Sequence, residues 1–204
     1  KVILGKALNQ KMIKNQNNNS ISIKEPVFPF KRFPNVDTIL GPEMKSTGEV
    51  MAIDKNFESA FIKCQMASSN PLPLKGSLFV SVKDSDKPKI LPVVRNFQKH
   101  GFRIKATPGT ATYLIDGGVK TEVINKVSQG SPHIVDDILS DKIDILINTT
   151  EGRKSINDSF GLRRTALLKN LPYFLTVSGA RAAINSIKEL KNNTLEVNPI
   201  TSFH

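Results

Sequence analysis

One stretch of sequence decides the fold: Ile143-Asp144-Ile145-Leu146-Ile147-Asn148-Thr149-Thr150-Glu151-Gly152-Arg153. Its first five residues are mostly apolar and predict a buried strand, and the polarity changes abruptly at Asn148. In an open α/β sheet, ligands bind in the crevice beyond the carboxyl ends of the strands. Hydroxyl, amide and guanidinium donors beside a glycine suit an anion there. The alternative is an ordinary polar loop that caps the next helix, because Asn and Thr are common N-caps.

Strand and helix patterns alternate around this stretch. Strands are predicted at residues 77–82, 102–106, 121–124, 143–147 and 173–176, each followed by a helix or a polar loop. Such alternation predicts an α/β fold with a doubly wound, five-stranded parallel sheet. We therefore expect the carboxyl ends of all five strands to lie at one edge of one sheet.

Helix boundaries are predicted from capping and breaking residues. Asp54 is expected to cap a helix at 56–67, and Ser178 is expected to cap the last one. Pro92 should lie in the first turn of a helix that ends at His100, because a proline deeper inside costs about 3 kcal/mol. Ser131-Pro132 should open a helix through Leu139, and a loop should continue to Gly161.

The region before the sheet is less regular. Residues 1–14 have helical spacing, residues 21–27 alternate like a strand, and a segment rich in Pro and Phe follows. We expect this segment to pack against a larger body and place a linker at 71–76. The predicted organisation is a first region at 1–70, a ligand-binding domain at 77–191 and a frayed polar tail at 192–204.

Composition restricts the possible classes of protein. The 204-residue chain carries a formal charge of +11, from 29 Lys and Arg against 18 Asp and Glu. No Trp and two Tyr provide too few stacking platforms for a single-strand nucleic-acid binder, so no nucleic-acid partner is expected. One cysteine, Cys64, fits a reducing cytoplasm and is expected in the core. No apolar run reaches the ~20 residues that span a bilayer, so no membrane partner is expected.

Polar residues recur at the predicted strand ends. Hydroxyls, amides and lysines follow every strand, at Ser81, Lys87, Thr107, Thr110, Lys126, Asn148, Thr149, Thr150 and Thr176. Such donors around a helix N-terminus make a phosphate site. We find no residue that must act as a catalytic acid or base there and no His/Cys spacing typical of a metal site. The sequence therefore predicts binding without turnover.

Two segments carry a resemblance to a known family. Phe28-Pro29-Phe30-Lys31-Arg32-Phe33-Pro34, followed by Leu40-Gly41-Pro42-Glu43-Met44-Lys45-Ser46-Thr47-Gly48-Glu49-Val50, closely resembles the end of the second ATP-grasp unit of carbamoyl-phosphate synthase large chains. The part from Ser77 to about Leu190 resembles the methylglyoxal-synthase-like regulatory domain that follows that unit. The resemblance implies that the chain is a C-terminal piece of a longer cytoplasmic ligase, in which a remnant of an ATP-grasp domain at 1–70 precedes the regulatory domain.

In that family the full enzyme makes carbamoyl phosphate from bicarbonate and glutamine-derived ammonia, with ATP and Mg or Mn as cofactors. It supplies pyrimidine and arginine synthesis and works with a glutamine amidotransferase small chain, in some cases as an oligomer. The regulatory domain binds UMP as an inhibitor or, in some bacteria, IMP as an activator. The ATP and metal ligands precede this chain, so the resemblance implies no cofactor and no catalysis in this piece alone.

The resemblance also implies roles for single residues. The phosphate contacts would be Lys87, Thr107, Thr110, Lys126, Asn148, Thr149 and Thr150, with Ser81, Ser159 and Thr176 close by, and Ile134 and Leu162 would flank the base. Glu25 and Tyr173 match an ornithine site between the two regions, where Leu175 replaces a threonine. The alternative is a stand-alone methylglyoxal-synthase-like lyase acting on a triose phosphate, for which Asp158 is the residue to test.

Overall fold

A five-stranded parallel sheet forms the centre of the computed structural model, which describes residues 2–5, 20–28 and 43–203. Its strands are β3 (Gly76–Ser81), β4 (Phe102–Ala106), β5 (Thr121–Val123), β6 (Ile145–Asn148) and β7 (Tyr173–Phe174). They are arranged in the order β5-β4-β3-β6-β7, with every neighbouring pair parallel. The predicted doubly wound sheet is confirmed.

Helices cover both faces of the sheet because the strand side chains alternate between them. Leu78 and Val80 of β3 face one core, which includes α2 (Lys87–Lys99), α3 (Pro108–Asp116) and α7 (Val177–Asn192). Phe79 faces the other core, which includes α4 (Ile134–Leu139) and α6 (Phe160–Leu168). The two cores lie on opposite faces of the sheet and include residues of β3, β4, β6 and β7.

A separate β-hairpin-like pair lies beside this body. β1 (Ile21–Val27) and β2 (Gly48–Asp54) are antiparallel, and α1 (Phe57–Ala67) packs against both strands and against α7. Cys64 of α1 is buried, as predicted. Residues 70–75 connect α1 to β3 without regular structure. The division into a 1–70 region, a 71–76 linker and a 77–191 domain stays a prediction.

Three helix caps differ from the prediction. Asn56, rather than Asp54, caps α1 by accepting a 2.7 Å hydrogen bond from the Ser59 amide. Thr176, rather than Ser178, caps α7 through the Gly179 amide at 3.0 Å. These side chains lie three residues before the amides they satisfy, which is the reach of an N-cap. The helix predicted at Ser131-Pro132 instead begins at Ile134, with His133 at the N-cap position.

The prediction for Pro92 was wrong. Helix α2 begins at Lys87 with Pro88 in its first turn, so Pro92 lies inside the helix. Its missing N–H costs one hydrogen bond to the Pro88 carbonyl, about 3 kcal/mol. The helix buries Ile90, Val94 and Phe97 completely, and each such side chain contributes about 1.5–3 kcal/mol. Burial therefore outweighs the proline.

Two elements were not predicted, and the tail differs as well. β2 lies in the segment taken as irregular, and α5 (Gly152–Asp158) lies in the predicted loop to Gly161. In the tail, α7 continues to Asn192, and a 3-10 turn at Ile200–Phe203 lies beside β2. Of the helical pattern at 1–14, only residues 2–5 are described, and Val2–Leu4 forms a 3-10 turn; most of the Pro- and Phe-rich segment falls outside the described residues. Within the described ranges, no helix combines the length and apolarity needed to cross a bilayer.

Candidate functional site

The candidate site lies where the strand order of the sheet reverses. After β3 the chain adds β4 and then β5 on one side of it, and it then returns to add β6 and β7 on the other side. Ser81 at the end of β3 is registered with Asn148 at the end of β6. Such a switch point leaves a crevice beyond the carboxyl ends of the two strands, where α/β proteins bind ligands. A cavity of about 780 Å³ occupies this position.

The cavity brings together most of the residues predicted to bind a phosphate and a base. Its polar lining includes Ser81, Thr107, Lys126, Asn148, Thr149 and Ser159. Ile134 and Leu162, the pair expected to flank a base, belong to the same lining, together with Phe79. One side of the cavity therefore offers hydrogen-bond donors and a cation, and another offers apolar surface.

Hydrogen bonds hold the polar side of the cavity in place. The Thr107 hydroxyl donates to the Ser81 hydroxyl at 3.2 Å and lies 3.4 Å from that of Thr110. Thr110 accepts from the Val82 amide at 3.3 Å, and Thr149 accepts from the Lys83 amide at 3.1 Å. Thr107, Thr110 and Thr149 are all buried. Thr110 lies behind Thr107 and supports it rather than lining the cavity.

Lys87, the first residue of α2, lies next to the cavity, and its side chain reaches the start of α3. Its Nζ lies 3.8 Å from where a Cβ on Gly109 would be, so the ammonium is close to the first turn of α3, where an anion is favoured. The same Nζ is 2.7 Å from Oδ1 of Asp84, whose side chain lines the cavity. The hydrogen bond from Lys87 lowers the pKa of the Asp84 carboxyl, and the charges of Lys87 and Lys126 add to this effect.

Two of the predicted phosphate contacts lie elsewhere. Thr176 caps α7 after the edge strand β7, so β6 and β7 separate it from the switch point. Thr150 follows Thr149 directly but lines a second cavity, of about 740 Å³. The side chain of Arg153, at the end of the defining stretch, lies outside the described residues.

Several charged residues of the site were not singled out from the sequence. Lys83, Asp84 and Glu151 line the cavity, and so does Asp158, which was named from the sequence as the residue that would test a lyase. Lys83 directly follows the strand predicted at 77–82 and lies two residues after β3, so the rule that selected Ser81 would also have found it. Glu151 lies 3.6 Å from Lys83. The described residues contain no cluster of His, Cys, Asp and Glu side chains suited to a metal ion.

The second cavity contains the pair expected at an ornithine site. Glu25 and Tyr173 line it with Gln65, whose amide donates to the Glu25 carboxylate at 2.5 Å. Burial raises the pKa of Glu25, although hydrogen bonds from Ser68 and Gln65 oppose this shift. Asn148 donates to the Tyr173 hydroxyl at 3.0 Å and thereby joins the walls of the two cavities. Leu175 contributes an apolar side chain to the lining.

The comparisons with known proteins agree with one another. Residues 89–175 match the model of the MGS-like domain. The chain is 48% identical over 92% of its length to the carbamoyl phosphate synthase large chain of Mesorhizobium japonicum. It is 45% identical over 90% of its length to the "carbamoyl phosphate synthase large chain, C-terminal section" of Methanopyrus kandleri. It spans 16% of the first relative and 34% of the second.

A solved structure with a similar fold is the methylglyoxal synthase of Elizabethkingia anophelis. It is 17% identical, with a TM-score of 0.46 over 55% of this chain and 79% of that one.

Proposed function

Because the chain carries an MGS-like domain and is related over most of its length to carbamoyl phosphate synthase large chains, we propose that its switch-point cavity binds a regulatory nucleoside monophosphate. UMP is the first candidate and IMP the second. In the full-length enzyme this ligand would regulate ATP-dependent synthesis of carbamoyl phosphate from bicarbonate and glutamine-derived ammonia.

One observation carries the proposal: the same cavity has a polar side fit for a phosphate and an apolar side fit for a base. Ser81, Thr107 and Thr149 provide hydroxyls beside Lys126, and hydrogen bonds from hydroxyls to a charged group contribute about 1.5–3 kcal/mol each. Ile134 and Leu162 provide the apolar surface. A volume of about 780 Å³ is within the range of small-ligand sites.

Regulation requires that ligand binding in this cavity be coupled to ATP binding in the catalytic part of the full-length enzyme. ATP, Mg or Mn and the glutamine amidotransferase small chain would act in the full-length enzyme, while this piece binds the effector without catalysing a reaction. The coupling between effector and ATP would be about 1–3 kcal/mol and must be reciprocal. UMP affinity in the intact enzyme should therefore change with ATP occupancy.

Calorimetry on this chain tests the proposal. UMP, IMP, uridine and inosine are titrated under the same conditions, so that each nucleotide has a control lacking only its phosphate. We expect one monophosphate to bind and its nucleoside to bind at least tenfold more weakly, because the phosphate contacts are lost. Equal binding of nucleotide and nucleoside, or no binding of either nucleotide, contradicts the proposal.

A lyase acting on a triose phosphate is the second candidate, since Asp158 lines the same cavity and could serve as a base. The test is an assay for methylglyoxal formed from dihydroxyacetone phosphate. Turnover that Asp158→Asn abolishes would favour the lyase. We expect no turnover above background.

The second cavity is the place where ornithine would bind. Glu25 can pair with an amino group, but Leu175 offers no hydroxyl to the ligand. We therefore expect ornithine to leave the melting temperature unchanged under conditions where UMP or IMP raises it. A ligand-dependent rise with ornithine would contradict this expectation.

A further inference from the structure

Two lysines at the switch-point cavity, Lys83 and Lys87, are already paired with carboxylates of the chain itself. Lys87 is paired with Asp84 at 2.7 Å, and Lys83 is paired more loosely with Glu151 at 3.6 Å. The two members of the closer pair differ in exposure: the Asp84 side chain is 93% exposed and that of Lys87 is 18% exposed. The ammonium of Lys87 is therefore largely buried, whereas the carboxylate of Asp84, which lines the cavity, is open to solvent.

We propose that Asp84 is an internal competitor of the phosphate, occupying the cationic corner of the cavity when no ligand is bound and leaving it when a dianionic phosphate enters. This inference rests on the proposed function, because it concerns the same site. It assigns to Asp84 the role of lowering and tuning the affinity for the anion.

The geometry favours exchange over simultaneous binding. Asp84 lines the cavity and contacts Nζ of Lys87 at 2.7 Å, so a phosphate that also contacts this ammonium would be repelled by the carboxylate at short range. The hydrogen bond and the charge of Lys87 lower the pKa of the Asp84 carboxyl, and the charge of Lys126 adds a smaller contribution. An exposed aspartate can turn into water at little cost, because exposed ion pairs contribute little to stability.

The expected effect follows from Coulomb's law. A carboxylate about 6 Å from a dianion in a water-like medium weakens binding by about tenfold, and salt reduces this to about threefold. Asp84→Asn should therefore tighten UMP three- to tenfold. The same variant should tighten inorganic phosphate by a similar factor, because the competitor acts on the phosphate and not on the base.

Asp86 provides a matched control. It lies two residues away on the same 3-10 turn, Asp84–Asp86, and does not line the cavity. Asp86→Asn changes the net charge equally, so it should alter UMP affinity less than twofold. Both variants are compared with the wild-type chain by calorimetry in low salt and in 0.5 M salt (about 4 Å Debye length), where the gain of Asp84→Asn should shrink.

The outcomes separate this inference from the function on which it rests. Wild-type binding of UMP with no gain in Asp84→Asn, or with an equal gain in Asp86→Asn, overturns the competitor role alone. Failure of every variant to bind either anion overturns both proposals. Binding that appears only in Asp84→Asn supports the competitor role. A thermal melt of each variant confirms that the two substitutions leave the fold intact.

Discussion

Thr107→Val is the substitution that probes the polar side of the cavity most cleanly. Valine keeps the shape of threonine and removes only the hydroxyl. Thr107 is 3% exposed and caps α3 without a hydrogen bond between its side chain and the backbone amides of that helix, so the cap itself does not depend on the hydroxyl. The fold should lose about 1 kcal/mol, the contribution of one neutral hydrogen bond.

The effect on binding can be worked out from the ligand-free contacts. The hydroxyl donates to Ser81 at 3.2 Å before the ligand arrives and must exchange this bond for one to phosphate. A hydrogen bond to a charged group contributes about 1.5–3 kcal/mol, and the exchange lowers the net loss to about 1–2 kcal/mol. UMP should bind about 5- to 30-fold more weakly to the variant, as measured by calorimetry.

Thr112→Val is the matched control for this measurement. Thr112 lies on the same helix, and its exposed hydroxyl donates to the Pro108 carbonyl at 3.1 Å, outside the cavity lining. Its loss should leave UMP affinity within twofold of wild type. The reasoning is refuted if Thr107→Val binds as tightly as wild type, or if both variants weaken binding equally.

Three further substitutions test charge, backbone and pH dependence. Lys126→Ala should abolish stabilisation by UMP in a thermal-shift assay, because it removes one of the two lysines in the lining and the other, Lys83, is paired with Glu151. Gly76→Ala should cost more than about 2 kcal/mol in urea unfolding, since its φ is +136° and a Cβ would overlap Asp144, whereas Gly48→Ala has open space. Glu25→Gln should flatten stability against pH. The raised pKa of Glu25 makes wild-type stability fall as pH rises from about 4.5 through the folded-state value, and a flat wild-type profile would contradict this.

The sheet could be predicted because its strands are short apolar runs bounded by polar residues or glycine. β3 and β6 are apolar runs buried on both faces, and Gly101, with a φ of +88°, separates α2 from β4. These features are local in sequence. β2 was missed because it is half exposed and its register with β1 joins Ile21 to Asp54, a pairing that no local pattern reveals.

The candidate site was predictable in its chemistry and less so in its positions. The rule of strand ends selected Ser81, Thr107 and Asn148 correctly as neighbours, because parallel strands end at one edge. It could not order the strands, so it included Thr176 beyond the edge strand. It also could not orient Thr150, because the alternation of a strand no longer applies after its last residue.

The pairing of Lys87 with Asp84 could not be predicted from the sequence for a related reason. Both residues were visible in one polar loop, but only the 3-10 turn Asp84–Asp86 brings the carboxylate to the ammonium three residues later. The strand-end rule thus identified lysines near a phosphate site, but it did not show that Lys87 already forms an ion pair with a carboxylate.

Backbone amide shifts in the NMR spectrum of the chain, recorded with and without UMP, test the central claim most directly. Binding at the switch point predicts the largest changes at Lys83, Gly109, Asn148 and Thr149, with the amide of Gly179 on α7 unchanged. The uridine control should lack the change at Gly109. Changes concentrated instead at Glu25, Gln65 and Leu175 would place the ligand in the second cavity and contradict the assignment of the phosphate site.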